Sequence, residues 1–337
     1  MKPTIKDVGK RANVSMMTVS RVVNKNSNTS EKIRKKVLDA IKELNYKPNK
    51  LARSLVIKKS EFITIIVPDI SNPFFSEMVK GVEEIVRAKG YIILLGNTNG
   101  GKEIEKEYID AAINRMSDGI ILIAPRIEDK MIYELNNYLP LIIVDRPLDR
   151  SDILQINIDD FKGAMSATEY LIELNHKNIG FLSGSMDILA GLQREQGYIK
   201  ALEKHKETIN FKLILKGDWS FESGRNAFDK FYNNHPRPTA IFASNDLMAM
   251  GLIQRAQEMN LKIPEDLSIV GFDNISMSAL INPPLTTINQ PILEMGRKAA
   301  ELLLNKLRKG PDIDINIHLE SKLIVRGSTR KIMKGSL

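Results

Sequence analysis

The chain has 337 residues and no cysteine, 27% of its residues are charged, and its formal net charge is +8. Without cysteine there is neither a disulfide framework nor thiolate chemistry, and no apolar run approaches the length of a membrane span. The first residues lack the apolar core of a signal peptide, so we expect a cytoplasmic protein with no membrane partner.

The positive charge is confined to the N-terminal end of the chain. Residues 1–59 carry sixteen Lys and Arg against four Asp and Glu, a net +12, whereas the remainder sums to −4. A compact basic block of this kind is typical of a protein that binds nucleic acid. The alternative interpretation is a solvated basic face that has no partner.

Apolar residues recur at helical spacing in three segments of this basic block. Thr4 precedes the first segment with Asp7 three residues later, as in a capping box, and Ser15 precedes the second. The third segment begins after Ser30 and runs from Glu31 to Leu44. We predict a helix-turn-helix closed by a third helix. The predicted core side chains are Val19, Val22, Val23, Ile33, Val37, Leu38, Ile41 and Leu44.

A family resemblance rests on two runs in this block, TIKDVGKRANVSMMTVSRVVN and SEKIRKKVLDAIKELNYKPNKLARSL. They resemble the DNA-binding head and hinge of the lac repressor family of bacterial transcription regulators. The resemblance implies a head at 1–48, a hinge helix and linker at 49–60, and a homodimer that reads a near-palindromic double-stranded operator with the second helix in the major groove. The implied DNA contacts are Thr4, Ser15, Met16, Met17, Thr18, Ser20, Arg21, Asn24 and Leu55, the last as a minor-groove wedge.

Met16 and Met17 depart from the family pattern, in which these base-reading positions are often polar. Methionine cannot form the bidentate hydrogen bonds that distinguish guanine or adenine, so it can only contact a thymine methyl group or pack. We therefore predict that Arg21 and deformation of the operator centre carry more of the specificity. The alternative is that both methionines merely pack.

Beyond Ser60 the sequence alternates short apolar runs with amphipathic segments, such as Phe74 to Lys89 and Lys102 to Met116. This alternation predicts parallel sheets covered on both faces, and the length favours two α/β subdomains with a cleft between them. The apolar runs are FITIIVP, YIILLGN, GIILIAP, LIIVDRP, NIGFLSG, TAIFASN and LSIVGFD. The predicted fold class is thus a small all-α head with a hinge helix, followed by a two-subdomain α/β core.

Ligands of such sheets bind at the carboxyl ends of the strands, where this chain places carboxylates, amides, guanidinium groups and aromatic rings. These groups match the hydroxyls and the C–H faces of a sugar. The candidate effector residues are Asn72, Phe74, Phe75, Asp145, Arg146, Arg194, Trp219, Asn245, Asp273 and Gln290. Each polar member could instead cap the next helix, and for Asp246 we expect that role.

The core also resembles the periplasmic sugar-binding fold that the repressor family shares, and ribose-binding proteins in particular. The resemblance runs from Thr4 to about Arg330, and Trp219 departs from it as an unusually large ring. It implies a core at 61–337, with one subdomain at about 61–159 and 291–319 and the other at about 160–290 and 320–330.

Ribose or a similar pentose is the implied effector. A hexose, or a sugar acid held by Arg146 and Arg194, is the alternative, while a purine corepressor fits less well. A phosphocarrier protein as corepressor is a further alternative. By the resemblance, the effector closes the cleft and changes the spacing of the two hinge helices, most simply as an inducer.

An enzyme acting on sugars is the remaining alternative, and the sequence offers little for it. The four histidines, among them His176, lack metal-ligand spacing and are expected at the surface. The Gly100-Gly101-Lys102 run is not a phosphate loop, and there is no G-x-S-x-G motif. We predict a regulator without catalytic activity, metal or other cofactor. The tail from Lys331 is too short for a tetramerising heptad segment, so we expect a dimer.

Overall fold

The computed structural model describes residues 3–23, 29–46, 59–114, 117–150, 152–308 and 316–333. The chain divides into two compact units, Met1–Ser60 and Glu61–Leu337. Asn24, Leu55 and the predicted hinge helix lie outside the described residues. No helix within the described ranges is long and apolar enough to cross a membrane.

The first unit contains the three predicted helices, α1 Ile5–Ala12, α2 Met16–Val23 and α3 Glu31–Glu43. The capping box at α1 is present, since the backbone N–H of Thr4 donates to Asp7 Oδ2 at 2.9 Å and Thr4 Oγ1 accepts from the N–H of Asp7. Ser15 caps α2 by accepting from the N–H of Thr18 at 3.2 Å. Side-chain caps thus fix the start of both helices of the helix-turn-helix.

The core of this unit is small and consists of aliphatic side chains. The buried members are Val8, Ala12, Val19, Val22, Val37 and Ala40. The prediction that Leu38 belongs to this core is wrong, because its side chain is 49% exposed. Leu38 lies about 100° around the helix from Val37, and Ala40, one turn from Val37, takes the inward position.

The second unit contains two subdomains, and the chain passes between them three times. The first subdomain begins with β1 Phe62–Val67, α4 Pro73–Arg87, β2 Ile92–Asn97, α5 Lys102–Asn114, β3 Gly119–Ile123, α6 Asp129–Leu135, β4 Leu141–Val144 and β5 Leu154–Ile158. The second contains α7 Asp160–Glu173, β6 Ile179–Ser183, α8 Leu189–Lys204, β7 Ile214–Lys216, α9 Phe221–Asn233, β8 Ala240–Ala243, α10 Asp246–Glu258, β9 Ser268–Asp273 and β10 Thr286–Asn289. The chain then returns to the first with α11 Ile292–Leu307 and β11 Asn316–Leu319, and ends in the second with β12 Lys322–Ile324.

Each subdomain is built on a six-stranded sheet. The strand order is β11-β5-β4-β3-β1-β2 in the first, where all neighbours run parallel, and β12-β10-β9-β8-β6-β7 in the second, where only β12 is antiparallel. Helices cover both sheets, and the carboxyl ends of the parallel strands face the space between the subdomains. The predicted α/β class of this unit is confirmed.

The strand β5 is absent from the predicted apolar runs because two buried polar residues, Gln155 and Asn157, interrupt it. Gln155 serves the preceding loop, since its Oε1 accepts from the N–H of Leu148 at 2.8 Å and its Nε2 donates to the carbonyls of Leu148 and Arg150. A polar side chain inside a buried strand is tolerated when it satisfies backbone groups in this way.

Close helix packing ties α11 to the first subdomain. It crosses α4 at Gly81 and Gly296, where the two backbones approach so closely that a Cβ at Gly296 would collide with the carbonyl oxygen of Met78. Glycine at both positions permits this approach. The last long helix of the chain is therefore an integral part of the subdomain that begins at β1.

The prediction that all four histidines lie at the surface is wrong for His176, which is 2% exposed. Its Nε2 donates to the carbonyl of Arg330 at 3.1 Å, and its Nδ1 lies 3.0 Å from Thr239 Oγ1. Burial lowers the pKa of His176 to about 4. The neutral imidazole thus fastens the C-terminal segment to the second sheet.

Acidification should therefore weaken the wild-type protein more than a His176→Gln variant. The folded-state pKa lies below the ordinary value of 6.5, so between about pH 6.5 and 4 the unfolded chain binds the extra proton and stability falls with falling pH. We expect the difference in the free energy of unfolding between the two proteins to shrink by roughly 1 to 3 kcal/mol over this range. Urea unfolding at several pH values measures it, and a pH-independent difference would contradict the assignment.

Candidate ligand cavity and nucleic-acid interface

A cavity of about 500 Å³ lies between the carboxyl ends of the two sheets. Both subdomains contribute to its walls, as expected for a site at the edge of doubly wound sheets. The lining residues are Pro68, Asp69, Ser71, Asn72, Phe74, Phe75, Asn99, Gly100, Ala124, Arg126, Asp145, Ile188, Ala190, Arg194, Asp218, Trp219, Ser220, Asn245, Leu247 and Asp273. Eight of the ten predicted effector residues are among them.

Arg194 on α8 forms the charged centre of the cavity. It is 3% exposed, its Nε donates to Asp160 Oδ1 at 2.8 Å, and its Nη1 lies 3.5 Å from Asp273 Oδ1 and also donates to the carbonyl of Ser244. The ring of Phe272 lies 3.7 Å from the guanidinium carbon. Arg194 is thus already engaged by acidic side chains of the protein itself, with Asp160 as the close ion-pair partner and Asp273 at longer range.

Two further properties of the cavity carboxyls follow from their surroundings. Burial raises the pKa of Asp273 to about 8, against the opposing effect of Arg194. Burial, together with the nearby Asp160, raises the pKa of Asp145 well above its ordinary value. A carboxyl with a raised pKa can donate as well as accept a hydrogen bond near neutral pH, and both roles suit a hydroxyl group.

Aromatic rings form the apolar walls. Phe74 and Phe75 meet edge to face in the first subdomain, with ring centroids 5.1 Å apart, and Trp219 contributes from the second. The indole of Trp219 lies directly against Gly184, where any Cβ would collide with the ring. The Trp219 Nε1 is buried and has no hydrogen-bond partner in the protein. The sequence predicted the indole, but not the glycine that makes room for it.

Asn72 and Asn245 line the cavity and also cap helices, so both interpretations of these residues hold. Asn72 Oδ1 accepts from the N–H of Phe74 at 3.0 Å at the start of α4. Asn245 Oδ1 accepts from the N–H of Met248 at 2.9 Å, while its Nδ2 donates to the carbonyl of Trp219 at 2.9 Å. Asn245 therefore holds the backbone that carries the indole.

Two predicted effector residues do not line the cavity. Arg146 points behind it, where its Nη1 donates to the carbonyls of Pro125 at 2.9 Å and Ile127 at 2.6 Å and its Nη2 pairs with Asp129. Gln290 is buried behind Asp273 and donates to its Oδ1 at 2.7 Å. Arg146 shapes a loop and Gln290 supports the side chain of Asp273. The structure therefore places neither residue in the cavity wall.

Asp246 does not cap α10, contrary to our expectation, because Asn245 occupies that role. Asp246 Oδ1 accepts from Thr287 Oγ1 at 2.5 Å and its Oδ2 accepts from the N–H of Ile275 at 2.9 Å. Burial raises the pKa of Asp246 to about 7. Asp246 thus links the start of α10 to the loop after β9 and to β10.

In the first unit, α2 exposes the side chains that we predict to read bases. Met16 is 52% exposed and Met17 is 65% exposed, so neither side chain belongs to the core of this unit. Arg21 is exposed one turn further on, with its Nη2 3.6 Å from Met17 Sδ. Ser15 and Thr18 are engaged at the helix start, where their hydroxyl oxygens lie 2.9 Å apart. Two thioethers and one guanidinium thus dominate the exposed face.

Comparison with known proteins assigns both units to one class of protein. Residues 4–49 match the family "Bacterial regulatory proteins, lacI family", and residues 168–329 match "Periplasmic binding protein-like domain". The chain is 37% identical to the HTH-type transcriptional repressor CytR of Escherichia coli (strain K12), with 98% of this chain and 97% of that one covered. It is 35% identical to the catabolite control protein A of Priestia megaterium, with 98% and 100% covered.

Solved structures give the same result. The lac repressor dimer bound to operator and the anti-inducer ONPF matches with a TM-score of 0.86 at 28% identity, covering 98% of this chain and 100% of that one. A LacI family transcriptional regulator from Enterococcus faecium with bound ribose matches with a TM-score of 0.75 at 30% identity, covering 81% and 100%.

A helix-turn-helix head followed by a two-subdomain core with a ligand cavity defines a DNA-binding transcriptional regulator. The chain belongs to the lacI family of bacterial regulatory proteins and is a transcriptional repressor rather than an enzyme.

Proposed function

We propose that this repressor is controlled by an uncharged sugar that occupies the cavity, with D-ribose or a similar pentose as the first candidate and release of the operator as the result. The observation that carries the proposal is the compensation of Arg194 by Asp160 and Asp273 within a cavity that also has aromatic walls. The ribose bound to the Enterococcus faecium regulator supports the choice of sugar.

A sugar acid is a weaker candidate on electrostatic grounds. Arg146 does not line the cavity, and Arg194 is already paired, so neither is free to hold a carboxylate. The walls also carry the carboxylates of Asp69 and Asp218. A ligand carboxylate or phosphate would meet like charges there, and the remaining guanidinium of the wall, that of Arg126, is paired with Asp187. Hydroxyl groups, by contrast, can both donate to and accept from these side chains.

The single tryptophan of the chain, Trp219, provides a direct test, because it lines the cavity. Titration of the full chain with D-ribose should change the indole emission and saturate. D-Glucose, D-gluconate and hypoxanthine serve as the hexose, sugar acid and purine comparisons, and a Trp219→Phe variant controls for signals unrelated to the cavity. A response to gluconate but not to ribose would reverse our choice of ligand class.

We further propose that the protein acts in the cytoplasm as a homodimer on a near-palindromic operator. The solved lac repressor in complex with its operator is a dimer. Exposed apolar side chains on both subdomains, Ile92 and Leu95 on β2 and Met277 and Leu280 near the start of β10, support a subunit contact. A two-fold dimer would present two copies of α2 to successive major grooves.

Loss of Arg21 should reduce operator preference more than general DNA affinity. Arg21 offers the only guanidinium on the exposed face of α2, and one bidentate contact to a base is worth about 1 to 3 kcal/mol of discrimination. We expect an Arg21→Ala variant to lose that amount when an operator selected from random DNA competes with unrelated DNA at fixed salt. Arg21→Lys keeps the charge without the fork and should lose nearly as much. Full preference in either variant would show that Arg21 does not read a base.

A further inference from the structure

Arg126 is a cavity residue that our sequence interpretation missed. It follows β3 in the first subdomain and lines the cavity. Its Nη1 donates to Asp187 Oδ2 of the second subdomain at 3.2 Å. The side chain therefore reaches from one subdomain to the other at the edge of the cavity.

Two charged side chains, Arg146 and the buried Glu105, hold the loop that carries Arg126. Glu105 Oε2 accepts from the N–H groups of Arg126 at 2.8 Å and Ile127 at 3.2 Å. Arg146 Nη1 donates to the carbonyls that flank Arg126, those of Pro125 and Ile127. Charged side chains thus bind both the N–H groups and the carbonyl groups of the loop backbone. These bonds fix the position of the backbone from which the Arg126 side chain extends.

The Nε of Arg126 is buried and has no hydrogen-bond partner in the protein. A buried donor without an acceptor is unfavourable, so an oxygen atom supplied by a ligand would stabilise this arrangement. Arg194, the other guanidinium of the cavity, is already engaged by two carboxylates. Of the two guanidinium groups in the cavity wall, Arg126 is thus the one with an unused buried donor, its Nε–H.

We propose that Arg126 determines effector binding in two ways: its Nε–H donates to an oxygen of the effector, and its ion pair with Asp187 holds the cleft closed around that effector. The proposal rests on the proposed function of the cavity as an effector site. A second contact between the subdomains, from the N–H of Ser276 to Glu77 Oε1 at 3.0 Å, stabilises the same closed form. A ligand and an ion pair that favour one conformation reinforce each other.

The ion pair can be tested without any effector, through the access of acrylamide to Trp219 in the full chain. Arg126→Asp and Asp187→Arg should each open the cleft and raise the quenching constant of the indole by about two- to fivefold, as expected for a partly exposed ion pair. The double variant restores opposite charges and should return toward the wild-type value. High salt should raise quenching in the wild type, where it screens an attraction, and lower it in the single variants, where it screens the repulsion of a like-charged pair. Equal quenching in all four proteins would overturn the proposal.

The donor role is tested with D-ribose as the probe. Arg126→Lys keeps a positive charge beside Asp187 but lacks the Nε–H donor, and we expect it to bind ribose roughly tenfold more weakly than the wild type. Asp187→Asn weakens only the closure and should have a smaller effect. Wild-type affinity in Arg126→Lys would overturn the donor role. Failure of ribose to bind the wild type would refute the proposed sugar alone, and the quenching comparison would still decide the proposal.

Arg146 is a positioning residue in this scheme, and non-additivity distinguishes that role from a general structural one. Arg146→Met should raise the quenching of Trp219 in the wild-type background, because the loop that carries Arg126 loses one of its holders. In the Arg126→Asp background the same change should add nothing, since residues that act as a unit are not additive. An equal increase in both backgrounds would show that Arg146 acts independently of Arg126.

Discussion

Replacement of Arg194 by methionine should abolish effector binding and lower the free energy of unfolding of the second unit by about 3 to 5 kcal/mol, the usual result of breaking a buried ion pair. The change leaves Asp160 and Asp273 buried without their cation. Arg194→Lys is the matched control, because it keeps the charge but cannot bond both carboxylates and the carbonyl of Ser244 at once. The free energy of unfolding of the Arg194→Lys variant should lie between those of the wild type and of Arg194→Met.

The deficit of the Arg194→Met variant should depend on pH in a defined direction. The pKa of Asp273 is already raised to about 8 by burial, and Arg194 opposes that rise. Without Arg194 the folded-state pKa rises further above the unfolded value, so the folded state binds the extra proton and stability falls as pH rises. Well below pH 8 Asp273 is protonated in both folded proteins, so their stabilities fall in parallel and the deficit grows only as pH rises through about 8. Urea unfolding at pH 6.5 and 9 should show the larger deficit at pH 9. A deficit that is equal at both pH values would mean that lost packing, not charge, is responsible.

Replacement of Val37 by asparagine should abolish operator binding while the second unit stays folded. Val37 is fully buried in a core of six aliphatic side chains, and an amide there has no partner among them. Burying it costs about 1 to 3 kcal/mol in addition to the lost packing, which is a large fraction of the stability of so small a domain.

The adjacent residue provides the control for this prediction. Leu38→Asn introduces the same amide at a half-exposed position of the same helix and should leave operator binding nearly intact. Fluorescence anisotropy with labelled operator measures binding, and the emission of Trp219 reports on the second unit independently. If both variants bind alike, the arrangement of α3 deduced from burial is incorrect.

The sequence predicted the fold class well because apolar runs and amphipathic segments alternate so regularly. It failed for β5, whose buried Gln155 and Asn157 bond to backbone and to each other and so conceal the strand. It also assigned the wrong arginine to the cavity. Arg126 and Arg146 each follow a buried strand closely, and position after a strand does not reveal which of the two side chains points inward.

The contacts of Arg194 show a second limit of sequence interpretation. Its partners Asp160 and Asp273 lie 34 and 79 positions away and begin a helix or end a strand of their own. Each could be recognised as a polar residue at an element boundary, but nothing in a single sequence pairs them. Those long-range contacts decide whether Arg194 is available to an anionic ligand or is already paired within the protein.

The late return of α11 and β11 to the first subdomain also has a consequence for synthesis on the ribosome. Until residue 319 has emerged, the edge of β5 lacks its neighbour β11 and α4 lacks the helix that packs on Gly81. At ordinary elongation rates this interval lasts on the order of 10 to 40 seconds. The nascent chain therefore exposes an apolar helix face and an open sheet edge during that time, and it should depend on chaperones that bind such surfaces.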